Sequence, residues 1–135
     1  MNTNRIILTV SSVFLLLAMA ACSQTSGSDS NISIEADDSG KTITLHQGDT
    51  LIVTLDGNTT TGYNWLMQTM DPAILKQVGE PAYTPESNQI GAPGKISLTF
   101  QAVKTGQAKL VLNYMRSFEK DIAPLNTFEV TVVIK

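Results

Sequence analysis

From residue 32 to the end of the chain, large apolar side chains recur at every second position. Leu51, Val53 and Leu55 form one such set, Ile96, Leu98 and Phe100 another, and Leu110, Leu112 and Tyr114 a third. Phe128, Val130, Val132 and Ile134 close the chain. A period of two puts one face of an extended strand in a core and the other toward water, and no helix satisfies it. Shorter runs at Ile32, Ile34 and Ala36, at 42–45, and at Tyr63, Trp65 and Met67 repeat the pattern. Turn-forming clusters such as Asp37-Asp38-Ser39-Gly40 and Gln47-Gly48-Asp49 separate the runs. Only 71–78 could hold a helical turn, with Asp71 as N-cap and Pro72 at the first position. About seven short strands over 104 residues predict an all-β, immunoglobulin-like antiparallel β-sandwich, a single domain spanning 32–135. Trp65 is expected in its core on a middle strand, and no cysteine pair is available to pack against it.

The first 21 residues read differently. Arg5 precedes a mostly apolar stretch, 6–17, and Ala18-Met19-Ala20-Ala21 closes it with small residues ahead of Cys22. That is the order of a secretory signal peptide, and the apolar stretch is short for a membrane span. Cys22, the only cysteine, directly after Ala20-Ala21, resembles the acylation site of bacterial lipoproteins. On that reading residues 1–21 are removed and Cys22 carries lipid. Residues 22–31, polar after the cysteine, then form a flexible tether to a membrane of the bacterial cell envelope. Ser23, where an aspartate would resemble an inner-membrane retention signal, favours the outer membrane.

Charge and motif content narrow the function. Loss of Arg5 with the leader would leave 8 basic against 12 acidic residues, a formal charge of about −4, with no Lys/Arg cluster. That balance argues against nucleic acid as a partner. His46 is the only histidine and lacks metal-ligand spacing to any second ligand. No Gly-x-Ser-x-Gly elbow, phosphate loop or dinucleotide fingerprint occurs. Asp37-Asp38 and Glu119-Lys120-Asp121 read as solvated turns rather than acid/base pairs. The chain therefore reads as a non-enzyme without cofactor or metal; a monomer is expected, though no sequence feature sets the oligomeric state.

Three stretches are longer than a minimal sandwich needs, and such loops are often functional. In 57–65, three consecutive threonines stand between Gly57-Asn58 and Gly62, and Tyr63 and Trp65 follow. In 85–95 the sequence Ile90-Gly91-Ala92-Pro93-Gly94 occurs, and 115–126 contains Arg116, Phe118 and Pro124. Tyr63, Trp65, Phe100, Tyr114 and Phe128 fall on inward strand positions and are expected in the core. Phe118 lies in a loop between charged residues, where an aromatic two positions from an arginine suits a protein interface.

Taken with their order and spacing, these loops resemble the chagasin-type inhibitors of papain-family cysteine proteases. That family's first loop carries Asn-Pro-Thr-Thr-Gly and an aromatic. Here Asn58, Thr59, Thr60, Thr61, Gly62 and Tyr63 match it, with Thr59 in the proline position. The Gly-x-Gly-Gly of the second loop corresponds to Gly91, Ala92, Pro93 and Gly94. The Arg-Pro-aromatic of the third corresponds to Arg116, Ser117 and Phe118. The resemblance implies a reversible, non-covalent plug. The threonine loop would enter the active-site cleft of a papain-family cysteine protease, and the other two loops would grip its sides. The alternative reading is a non-inhibitory immunoglobulin-like envelope lipoprotein that acts in adhesion or assembly.

Overall fold

The four longest alternating runs form strands with their apolar phase turned inward, whereas Ala36, expected to continue the run of Ile32 and Ile34, lies exposed in a 3-10 turn. The structure, a computed structural model, describes residues 29–135. The expected leader, Cys22 and the tether as far as residue 28 lie outside the described residues.

Two sheets face one another. The first holds β1 (Asn31–Glu35), β3 (Thr50–Gly57), β7 (Gly94–Ala102) and β5 (Leu75–Gln77) in that order, with β6 (Ala82–Pro85) also pairing β7. The second has the order β2 (Thr42–Leu45), β9 (Asn126–Ile134), β8 (Gly106–Arg116), β4 (Tyr63–Thr69). Leu51, Val53, Leu55, Ile96, Leu98 and Phe100 from the first sheet meet Leu110, Leu112, Phe128, Val130 and Val132 from the second in one buried cluster. Truncating a side chain such as Phe100 to alanine would cost about 3–5 kcal/mol. That is a large share of the roughly 5–15 kcal/mol that holds a domain together.

Among the described residues there are nine strands rather than about seven. The additional pair, β5 and β6, has three and four residues. That is too short to show a period, and β6 ends in proline. Two pairings are parallel where a wholly antiparallel sandwich was expected. Asn31 stands opposite Thr50 in β1–β3, and Thr42 opposite Thr131 in β2–β9. The chain climbs the first sheet and changes sheets through the 3-10 turn Ala36–Asp38, then descends along the second. Asp38 braces that turn, accepting from the Glu35 N–H at 2.9 Å and pairing with Lys41 at 2.9 Å.

At 71–75 the chain makes one hydrogen-bonded turn. The Asp71 carboxylate accepts from Ala73 N–H, and its carbonyl accepts from the N–H groups of Ile74 and Leu75 before β5 begins. Trp65 is buried as expected, but on β4, the edge strand of its sheet. Met67, on the same phase, is more than one-third exposed, because an edge strand is flanked by a neighbour on one side only.

Candidate functional site

The ladders bring three loops to one end of the sandwich. Gly57 pairs with Gly94, Tyr63 with Arg116 and Tyr114 with Asn126, so loops 58–62, 86–93 and 117–125 leave from adjacent strand ends. Arg116 and Gly94, read from the sequence as loop residues, are the terminal residues of their strands.

The first loop is a wound turn. Asn58 is extended at φ −140°, ψ 97°, and its side-chain carbonyl caps the 3-10 turn Thr59–Thr61 by accepting from Thr60 N–H at 3.1 Å. Gly62 closes the turn at φ +82°, a conformation in which a Cβ would be strained, and its N–H donates to the Thr59 carbonyl. Thr60 and Thr61 are exposed at the apex. Both hydroxyls fold back on the cap: Thr60 Oγ1 donates to Asn58 Oδ1 at 2.5 Å, and Thr61 Oγ1 to the Asn58 carbonyl at 2.6 Å. With their protons spent inward, these hydroxyls offer a partner acceptor lone pairs and methyl groups.

Loop two is tied to loop one by Asn58 Nδ2, which donates to the Gly91 carbonyl at 2.9 Å. Gly91 has φ +80°, and Ile90 beside it is fully exposed. The side chain of Ala92 is buried, and Gly94 is buried in the β6–β7 ladder, so these two shape the loop from beneath. Pro93 is exposed, and its carbonyl accepts from Glu86 N–H at 2.9 Å, which narrows the loop's neck. Below it Lys95 pairs with Asp56, whose carboxylate raises the lysine above its ordinary range. An exposed pair of this kind adds little stability.

Loop three joins the cluster through Arg116. Its Nε donates to the Thr61 carbonyl at 3.0 Å and its Nη1 to Glu119 at 3.0 Å. The guanidinium lies 4.5 Å from the centroid of the Tyr63 ring and 6.0 Å from that of Phe118. Tyr63 is therefore a half-buried platform for Arg116 rather than the core residue expected. Tyr114, also only half-buried, sits 5.4 Å from Tyr63 and 5.2 Å from Trp65 between ring centroids. Its hydroxyl accepts from Asn58 N–H at 2.8 Å. Trp65 Nε1 donates to the Asp56 carbonyl at 3.0 Å, fixing the strand that leads into the turn. Ser117 and Phe118 are exposed, Phe118 at 70 %.

The candidate residues Asn58, Thr61, Gly91 and Arg116 are thus joined by direct bonds. Tyr83, Tyr114, Ile90 and Glu119 are additional residues at this end that the motifs did not single out. An isoleucine within the Gly/Pro-containing loop stretch 90–94 was the available signal for Ile90, whereas Tyr83 lay hidden in a segment bounded by Pro81 and Pro85. Among the described residues no group of three His, Cys, Asp or Glu could hold a metal ion.

Residues 44–132, which contain all three loops, match the model of the chagasin family, peptidase inhibitor I42. The chain belongs to the chagasin family. Amoebiasin-1 of Entamoeba histolytica is 31% identical to it over 85 residues, covering 63% of this chain and 82% of that relative. Among solved structures, the cysteine protease inhibitor EhICP2 of Entamoeba histolytica superposes with a TM-score of 0.71 at 21% identity, over 80% of this chain and 98% of its own. PbICP-C, solved in complex with falcipain-2, gives 0.53 at 20% identity, over 77% of this chain and 99% of its own. These two likenesses establish a shared fold. The chagasin-family sandwich accounts for the alternating runs, and the loop-bearing end is where this chain's unusual residues gather.

Proposed function

We propose that this chain is a reversible, non-covalent inhibitor of papain-family cysteine proteases, and that it acts by lodging the three-loop end in the active-site cleft. The supporting observation is the bond from Asn58 Nδ2 to Gly91, together with that from Arg116 Nε to Thr61. These cross-links hold three segments distant in sequence in one shape before any partner arrives. A surface ordered in advance loses little conformational entropy on binding, and affinity rises accordingly. The Thr59–Thr61 turn is the narrow central element. It presents methyls and hydroxyl acceptors on a backbone closed by Gly62, while the flanks carry Ile90 on one side and Phe118 on the other. Such a plug needs no nucleophile, metal or cofactor of its own, in keeping with a non-enzyme.

Membership of the chagasin family supports this reading, as do the likeness to EhICP2, a cysteine protease inhibitor, and that to PbICP-C, solved with falcipain-2. Titrating the purified chain against a panel of papain-family enzymes tests it. Stoichiometric, reversible loss of activity is expected, and no inhibition at micromolar concentration would leave the adhesion or assembly reading in its place. The sequence around Cys22 supports a lipid-anchored, envelope-located form. Metabolic labelling with a fatty acid, with Cys22→Ser as control, tests the anchor.

A further inference from the structure

Loop two is gripped from beneath by a phenol. Tyr83 lies on β6, and its hydroxyl donates to the Ala92 carbonyl at 2.6 Å, a short and partly buried bond. The residue before Ala92 is held from the other side, because the Gly91 carbonyl accepts from Asn58 Nδ2. Asn58 is in turn held by the Tyr114 hydroxyl, which accepts from its backbone N–H. A continuous path therefore runs from Tyr114 on the second sheet, through Asn58 and the carbonyls of the consecutive residues Gly91 and Ala92, to Tyr83 on the first.

Gly94 makes room for this arrangement. Its φ is not in the left-handed region, so backbone freedom is not what requires glycine there. A Cβ at 94 would instead fall on the Thr84 carbonyl and within 2.8 Å of both Pro85 Cα and Tyr83 Cε2. The missing side chain lets the Tyr83 ring lie against the strand and reach up to the loop.

We propose that Tyr83 is a positioning residue for inhibition. It sets the height of the Ala92–Pro93 peptide, directly after the Gly91–Ala92 peptide that Asn58 holds, against the threonine turn. With Tyr114 and Asn58 it makes the first two loops act as one body. This proposal rests on the inhibitor reading for its effect on affinity, but the positioning itself is a property of the free chain. Removing one neutral hydrogen bond from a partly buried carbonyl sets the scale, about 3- to 10-fold in an equilibrium constant.

The test compares wild type, Tyr83→Phe, Tyr114→Phe and the double variant, all full chains. The measurements are inhibition of a papain-type enzyme, its association and dissociation rates, and backbone relaxation of residues 90–92 without enzyme. Tyr83→Phe should weaken inhibition about 3- to 10-fold. The loss should lie in faster dissociation, and residues 90–92 should become more mobile while the unfolding midpoint shifts little. The double variant should lose less than the product of the two single losses. Unchanged relaxation and unchanged inhibition in Tyr83→Phe would overturn the positioning role, and strictly multiplicative losses would overturn the single-body claim. Should the wild-type chain inhibit nothing, the functional reading fails separately, and relaxation alone then decides whether Tyr83 and Tyr114 position the loops together.

Discussion

Arg116 Nε donates to the carbonyl of Thr61 at 3.0 Å, across 55 residues of sequence. The arginine ends β8 and the threonine tops the first loop. The bond turns a strand terminus into a buttress for the Thr59–Thr61 turn. Tyr63 stacks beneath the guanidinium and Glu119 neutralises its far side.

Arg116→Lys removes the planar fork while keeping the charge. Lysine cannot bond Thr61 and Glu119 in the same geometry and stacks less well on Tyr63. Because this site is part-exposed, the loss should sit at the lower end of the range for charged hydrogen bonds, about tenfold in inhibition constant. The unfolding midpoint should barely move. Equal inhibition by the lysine variant would show that charge alone suffices.

Asn58→Asp separates the two jobs of Asn58. The carboxylate still caps the turn by accepting from Thr60 N–H, but nothing remains to donate to the Gly91 carbonyl. Two acceptors then face each other across the gap between loops. Inhibition should fall by about tenfold. Stability should change by less than about 1 kcal/mol, since aspartate is as good a cap as asparagine. Enzyme titration and urea unfolding on the same preparation read both quantities.

Thr59→Pro should tighten inhibition. Thr59 is the first residue of the 3-10 turn, where proline's fixed φ suits, and Asn58 before it already has the extended backbone that a following proline demands. The gain comes from the unfolded and unbound ensembles and amounts to about 0.4–1 kcal/mol, roughly 2- to 5-fold in affinity. A weaker inhibitor would mean that the turn changes conformation on binding.

Asp49 predicts a pH effect far from the loops. It is buried, at 4 % exposure, and its carboxylate accepts from His46 N–H at 2.7 Å and from Ser30 N–H at 3.0 Å. Those backbone bonds, that to His46 first, hold its pKa below the ordinary aspartate value. A depressed folded-state pKa contributes stability that is present above about pH 4 and is lost as pH falls through the folded value. Asp49→Asn should therefore be less stable at pH 7 and show a shallower decline toward acid. Urea midpoints measured from pH 7 to pH 3 check this, and parallel curves for the two proteins would contradict it.

The inward phase of β3, β7, β8 and β9 was legible because burial on one face leaves a two-residue period, and Leu51, Phe100, Leu112 and Val132 obey it. The first loop stood out for a different reason, three consecutive threonines between Asn58 and Gly62, but its winding into a 3-10 turn capped by Asn58 was not read from the sequence. The rest depends on contacts that no local pattern encodes. The parallel partners of β1 and β2 come from a change of sheet. Tyr63 has the phase of a core residue yet serves as a platform, because Arg116 arrives from another strand. Tyr83 acts through a loop nine residues ahead, and its strand is too short to announce itself.

Both ends of the described chain are stitched to one place. Ser30 binds Asp49 and Thr50, while Lys135 binds Leu45 and Gln47, all at the end of the sandwich away from the loops. Were the chain anchored upstream as proposed and held by an enzyme at the loops, a pull between the two would run along the strands. It would load the β1–β3 ladder in shear, with five paired positions from Asn31 to Glu35 sharing the force at once instead of parting one after another. A molecule tugged in that direction resists as a lap joint does.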